Sequence, residues 1–279
     1  MEKVGLIAGN GLLPGLFAEA AAARKVAVVA VAHRGETDPR LANLVAELHW
    51  VRVGQVGRIL RYLRAAGVQR AVMAGGFKRV RAWRELRPDL GALKVVAGLK
   101  SFRDDALLRA IARFFEEGGV TIGAPTEWLP EILAPSGLLA GAPLTRVQQS
   151  DVRLGIEVAT LLGRADVGQT AVVKGGHVLA LEAVEGTDGA IRRGAELGGP
   201  GVVVVKLSKP GQDPRFDLPA VGPSTVETLR VAGARVLAVE AGRTLILDAA
   251  GTFRAAERAA LSIVGVSRMD DAALLENPA

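Results

Sequence analysis

Three short apolar runs open the chain: VGLIA, VAVVAVA and RAVMAG. Between them lie LPGLFAEAAAARK and GRILRYLRAAG, whose apolar residues recur at helical spacing. This alternation constrains the fold more than any other feature. Strands that are apolar throughout must be covered on both faces, and strands joined by helices run parallel. A parallel, Rossmann-like sheet is therefore expected for the first part of the chain. A longer helix follows in DDALLRAIARFFEEGG, where Leu107, Leu108, Ile111, Phe114 and Phe115 make one stripe. Asp104 and Asp105 suit its positive N-terminus, and Gly118 its end.

The pattern then breaks. APSGLLAGAPLT, residues 134 to 145, is rich in Ala, Gly and Pro and lacks charge, which marks a linker. Beyond it DVRLGIEVATLLGRA reads as a helix, and QTAVVKGGHVLALEA as a hairpin turning on Gly175 and Gly176. TDGAIRRGAELG reads as a helix capped by Thr187, with Asp188 in its first turn. GVVVVKL is a buried strand, STVETLRVAG opens with a capping box of Ser224 and Glu227, and RVLAVEAGRTLILDAAG supplies two strands around Gly242. The fold class is α/β with two domains. Residues 1–134 hold the parallel sheet, 135–145 the linker, and 146–279 a mixed-sheet α/β domain.

Composition removes several function classes. With 279 residues, 49% of them hydrophobic, the chain can fill two ordinary cores. It has no run of the roughly 20 apolar residues that a membrane span needs. Its start, MEKVGLIAGNG, does not read as a signal peptide. The absence of cysteine excludes disulfides, thiolate zinc sites and a cysteine nucleophile, and it fits a cytoplasmic address. A net charge of +6, mostly from arginine, suits phosphates or an anionic membrane surface. With 4% aromatic residues and no basic run, sequence-specific nucleic-acid binding is not expected.

Four segments could carry chemistry. In LIAGNGLLPGL a strand runs into Gly9 and Gly11 at the start of a helix, where bare N–H groups attract phosphate. The dinucleotide fingerprint fails, because Pro14 stands where a third glycine belongs and the second strand ends AHRG. In AGGFKRVRAW, Gly75 and Gly76 again follow a strand, and Lys78 and Arg79 add cations. Ligands of open α/β sheets bind beyond the carboxyl ends of strands, so both loops point to one crevice. EAVEGTDGAIRRG gathers Glu185, Thr187 and Asp188 at a strand-to-helix junction, a pattern that an N-cap and a helix ion pair also explain. KPGQDPRFDLPAVG sets Lys209, Gln212, Asp213, Arg215 and Asp217 among three prolines, directly after a core strand. Asp213 and Asp217 could hold a hard cation, and Lys209 and Arg215 phosphate oxygens. His33, His49 and His177 have no metal-ligand spacing, and no P-loop or nucleophile elbow is present.

Together these segments resemble the LpxI-type UDP-2,3-diacylglucosamine pyrophosphatases of Gram-negative lipid A synthesis. The matching pieces are GLIAGNGLLPGL, AGGFKRV, DDALLRAIARFFEEGG, DVGQTAVVKGGHVLALEAVEGTDGAIRRG, VVKLSKPGQDPRFDLPAVGPSTVETL and AGARVLAVEAGRTLILD. RVRAW departs from the family, which has a proline soon after the basic residues of that loop. The resemblance implies a cytoplasmic, magnesium-dependent enzyme with a substrate-binding N-terminal domain, a hinge and a catalytic C-terminal domain. It implies water attack on the α-phosphorus, releasing UMP and 2,3-diacylglucosamine 1-phosphate (lipid X). The family's essential aspartate falls on Asp217, as metal ligand or as general base. Asp213 and Asp188 are then supporting metal ligands. Gly9, Gly11, Gly75, Gly76, Lys78, Thr187, Lys209, Gln212 and Arg215 are the substrate contacts. A homodimer and peripheral contact with the inner membrane are also implied. The competing readings are a non-catalytic module that clamps a nucleotide-sugar or lipid phosphate, and a pyrophosphatase for another nucleotide-sugar.

Overall fold

A computed structural model describes residues 2–77, 87–99, 104–216 and 218–267; the side chains of Asp104 and Asp105 are also outside the description. The chain divides into two compact units. One is the chain through Pro130 with a short piece of loop beginning at Asp213. The other is Glu131–Gln212 with the chain from Leu218 onward.

The first unit contains β1 (Lys3–Ala8), α1 (Leu13–Ala23), β2 (Ala27–His33), β3 (Glu47–Val51), α2 (Val56–Ala65), β4 (Arg70–Ala74), α3 (Leu90–Ala97), α4 (Asp104–Glu117) and β5 (Thr121–Gly123). The strands form one parallel sheet in the order β3-β2-β1-β4-β5. This is the expected Rossmann-like arrangement, with β3 and β5 as additional outer strands. Every residue of β2 is buried, as its continuous apolar run requires. Leu63, Phe115 and Ile122 anchor the core, with Leu107, Ile111 and Phe114 packed against it. The stripe read along α4, apart from Leu108, is therefore its core face. The left-handed residue after α4 is Gly119, not Gly118; Gly118 instead makes room for Leu60. Asp89 caps α3 by accepting from Ala92 N–H, and it also accepts from Gly57 and Arg58 N–H at the start of α2.

The second unit contains β6 (Gly137–Ala140), α5 (Arg146–Arg164), β7 (Thr170–Lys174), β8 (His177–Leu181), α6 (Gly186–Gly198), β9 (Val203–Lys206), β10 (Ala220–Val221), α7 (Pro223–Val231), β11 (Val236–Glu240), β12 (Leu245–Ile246), α8 (Ala249–Arg258) and β13 (Ser262–Val266). Its six-stranded sheet runs β6-β13-β11-β9-β7-β8 and is mixed. β9, β11 and β13 are parallel, while β7 is antiparallel to β8 and β9, and β6 to β13. β7 and β8 form the predicted hairpin, with Gly175 and Gly176 both at positive φ and both N–H groups held by buried Asp151. Residues 135–145, expected as a linker, contain β6. Their small apolar residues suit an edge strand as well as a connection, and Ala140 is buried against β13.

Two helix starts also differ from their sequence reading. α6 begins at Gly186, so Thr187 lies inside its first turn and caps nothing. α7 begins at Pro223, where the Gly222 N–H reaches Thr225 Oγ, and Glu227 pairs with Arg230 rather than closing a box with Ser224. In α6 the helix starts on Gly186 itself, and in α7 Gly222 is the N-cap, so both starts lie ahead of the hydroxyl residue.

Candidate functional site

In the first unit, the strand order reverses between β1 and β4, and the two glycine loops follow these strands. They meet. Gly9 N–H donates to Ala74 O at 2.8 Å, Asn10 N–H to Gly76 O at 2.8 Å, and Gly76 N–H to Asn10 O at 3.2 Å. A Cβ on Gly9 would lie 2.4 Å from Gly76 O, and one on Gly75, which has φ of 90°, 2.3 Å from Asn10 O. The close approach that these two glycines permit is thus that of one loop to the other. Gly11 has open space around it at φ of 88°, and Gly76 adjoins the Asn10 side chain. These two line the start of α1, which has no side-chain cap and has Pro14 in its first turn. Such a helix start at a strand-order reversal is where an α/β sheet receives phosphate.

Behind this crevice sits a buried polar cluster that the sequence reading passed over. His33 Nδ1 lies 2.9 Å from Ala8 O, and Thr37 Oγ donates to the same carbonyl at 2.7 Å. Asn10 Nδ2 donates to Glu36 Oε2 at 2.7 Å. Burial holds His33 below its ordinary pKa, against smaller opposing effects of the Ala8 carbonyl and Glu36. Its ring stands edge-on to Phe77. The acidic residue missing from the end of β2 is present three positions later, as Glu36, where it orients Asn10.

The charged loop after β9 belongs to both units by residue. In the second unit, Ser208 N–H and Oγ donate to Glu240 Oε2 at 2.8 and 2.5 Å, and Arg243 Nε donates to Ser208 Oγ at 2.9 Å. Lys209 pairs with Asp166 at 2.8 Å. Buried Gln212 accepts from Lys209 N–H through Oε1, returns its own N–H to Lys209 O, and offers its carbonyl to Arg243. Lys209 and Gln212 therefore hold the loop in shape. In the first unit, Arg215 embraces Asp213 through both carboxylate oxygens and reaches Glu116 at 3.1 Å, while Phe216 packs on the apolar core. The Arg215 guanidinium holds the Asp213 carboxyl below the usual carboxylate range, and Asp213 in turn raises Arg215. Asp217, Lys78 and Arg79 lie outside the described residues.

At the strand-to-helix junction of the second unit, Glu185 pairs with Arg193, and Asp188 is exposed. Thr187 Oγ stands 3.5 Å from buried Thr170 Oγ at the start of β7.

The fit of these residues to magnesium can be judged from their partners. No group of three His, Asp or Glu side chains able to hold a metal occurs among the described residues. Both Asp213 oxygens are engaged by Arg215, and Asp188 is exposed. Among the described residues, no helix is long and apolar enough to cross a membrane.

Comparison with known proteins gives a consistent picture. The family model of the LpxI N-terminal domain matches residues 3–132, and that of the LpxI C-terminal domain matches residues 135–264. The UDP-2,3-diacylglucosamine pyrophosphatase LpxI of Caulobacter vibrioides is 36% identical over 279 residues, covering 95% of this chain and 98% of that protein. Among solved structures, the biotin carboxylase domain of Hydrogenobacter thermophilus 2-oxoglutarate carboxylase is 16% identical. It aligns with 63% of this chain and 35% of its own, with a TM-score of 0.29. N5-carboxyaminoimidazole ribonucleotide synthetase from Thermotoga maritima is 16% identical, with a TM-score of 0.27, covering 65% of this chain and 42% of its own. Likenesses of that size bear on neither mechanism nor ligand.

Proposed function

The chain belongs to the LpxI family, and on that premise we propose that it hydrolyses the pyrophosphate bond of UDP-2,3-diacylglucosamine in lipid A biosynthesis. The observation that carries this reading is the match to a pyrophosphatase of that substrate across nearly the full length of both chains. A module that only clamps nucleotide-sugars is disfavoured by the same match.

In the proposed reaction, a water oxygen attacks the α-phosphorus of the UDP moiety. The bond from that phosphorus to the bridging oxygen breaks, giving UMP and 2,3-diacylglucosamine 1-phosphate, and the water's protons pass to solvent and base. The difficulty is electrostatic, because a nucleophile must approach a dianionic pyrophosphate. Asp217 is the proposed acceptor of the water proton or ligand of a metal. Its place in the DLP segment after a charged, proline-stiffened loop supports that role. Lys209 and Arg215 carry the positive charge of this loop. Their ion pairs with Asp166 and with Asp213 and Glu116 preset where the charge stands before substrate arrives. Gly11 and Gly76, at the uncapped start of α1, are the proposed backbone contacts for a phosphate or sugar group. Gly9 and Gly75 act one step back, by letting the two loops close on each other.

Magnesium is part of the proposal through the family alone. When bound, it would supply charge neutralisation at phosphate oxygens, a task for which one or two carboxylates with several waters suffice. A cytoplasmic, homodimeric enzyme that touches the inner membrane peripherally completes the reading. Exposed Leu90, Leu93 and Val96 on α3, with Lys94 among them, support membrane contact by their chemistry.

The test is UMP release from UDP-2,3-diacylglucosamine beside UDP-N-acetylglucosamine, run in water enriched in heavy oxygen. Release from the first substrate only, with the label in UMP, is expected. Release only from the second would sink the lipid reading, and label in the diacylglucosamine phosphate would move the attack to the other phosphorus.

A further inference from the structure

Glu182 directly follows β8 and is only 9% exposed, yet its Oε2 has no hydrogen-bond partner. A buried carboxylate oxygen left without a donor is costly, and such an atom in a native fold calls for an explanation. Its position supplies one. Glu182 N–H donates to Thr170 O at 2.9 Å, one step beyond the Ala171–Leu181 pair, so Glu182 stands opposite Thr170. On its other side Thr170 stands opposite Lys206 of β9. Cross-strand partners share a face of the sheet. Lys206, Thr170 and Glu182 therefore form one row across three strands, two residues along from Val204, Val172 and Ala180 of the core on that face. The whole row is buried: Thr170 is 0% exposed and Lys206 9%.

α6 covers this face. A Cβ on its Gly194 would meet Val172 Cγ1 at 2.5 Å, and its first turn brings Thr187 Oγ to 3.5 Å from Thr170 Oγ. The N-terminus of α6 has no side-chain cap. The rim of the core thus holds Lys206, whose Nζ donates to Ala220 O at 3.3 Å, two hydroxyls, a helix N-terminus and a carboxylate oxygen in need of a donor.

We propose that this row is a subsite for the hexosyl-phosphate part of the substrate, with Lys206 toward the phosphate and Glu182 accepting from a sugar hydroxyl or amide N–H. This rests on the pyrophosphatase reading. The assignment of ends follows from charge: phosphate oxygens only accept, so the carboxylate must face a donor, and the lysine and the α6 N-terminus the anion. Lys206 and Glu182 are two inter-strand spacings apart, about 10 Å, which a hexosyl phosphate can span. Between them the half-buried Thr187 hydroxyl, backed by the fully buried Thr170, is able to donate and to accept.

The experiment compares the full-length wild type with Glu182→Ala and Glu182→Gln. It uses steady-state UMP release from UDP-2,3-diacylglucosamine, and thermal unfolding with and without 2,3-diacylglucosamine 1-phosphate. Glu182→Ala is expected to raise KM tenfold or more with a smaller change in kcat. The Tm of its free protein should be equal to wild type or higher, since a buried oxygen without a donor has been removed, and its ligand-induced Tm shift should fall by at least half. Glu182→Gln, which keeps an acceptor oxygen, should fall between the two. Wild-type KM and ligand shift in both variants, or a lowered Tm of the free protein with KM unchanged, would overturn the subsite while leaving the reaction standing. A wild type that releases no UMP overturns the pyrophosphatase reading instead, and the subsite with it.

Discussion

Asn10 and Gly76 exchange backbone hydrogen bonds, each N–H donating to the other's carbonyl, and so join the loop after β1 to the loop after β4. The crevice of the first unit is built on this two-bond link. Gly75 makes the link possible twice over, through a φ of 90° that side chains rarely adopt and through the absence of a Cβ against Asn10 O.

Gly75→Ala should therefore destabilise the protein by about 2 kcal/mol or more. Gly11→Ala has a similar φ but open space, and should cost less, about 1 kcal/mol. Denaturant unfolding of the two variants beside wild type reads the difference, and equal losses would show that the loop–loop contact contributes nothing.

His33 should make stability fall in mild acid. Its folded pKa is lowered by burial, so the unfolded chain takes up the proton first. The contribution of neutral His33 is complete above its unfolded pKa of about 6.5, and it is lost as pH falls below that toward the depressed folded value. Unfolding free energies of wild type and His33→Gln, measured between pH 7.5 and 5, should converge toward the acid end. Parallel curves would contradict the assignment.

The Asp213–Arg215 pair acts further down the scale. Because Arg215 depresses the folded Asp213 pKa, the pair stabilises above the unfolded value of about 3.9, and that contribution is lost as pH falls through the lower folded value. Asp213→Asn should reduce stability at neutral pH and give a flatter acid limb. Its activity with UDP-2,3-diacylglucosamine should fall less than that of Asp217→Ala, since Asp213 is occupied in positioning Arg215.

Asp217→Ala should lower turnover by about a hundredfold or more while leaving Tm within a few degrees of wild type. Excess chelator should abolish wild-type turnover, and added magnesium should restore it. Undiminished turnover in the variant would remove the catalytic role, and chelator-resistant turnover would remove the metal.

Strong local signals made part of this molecule legible. The apolar runs of β1, β2 and β4 and the glycine pair of the β7–β8 hairpin were readable because each element is dictated by its own residues. β3 was not, since ELHWV is a half-buried strand bearing His49 and Trp50 that shows no clean period. β5 is too short to signal, and β6 has the composition of a connection. The site divides in the same way. Gly9, Gly75 and the loop from Lys209 stand out by residue type. Glu182, Lys206 and Glu240 do not, because only cross-strand register and buried hydrogen bonds give a single glutamate or lysine its meaning.

β6 pairs with β13, and Ser262 Oγ donates to Ala142 O across 120 positions of sequence. The first strand of the second unit therefore has no neighbour until its last strand has been synthesised. The first unit gains only a late addition, the half-buried Phe216 ring packed on its core from far downstream. On the ribosome the second unit cannot finish before nearly all of the chain has emerged. Such non-local closure slows folding and prolongs exposure of apolar edges, so expression of this protein should respond strongly to temperature and to chaperone supply.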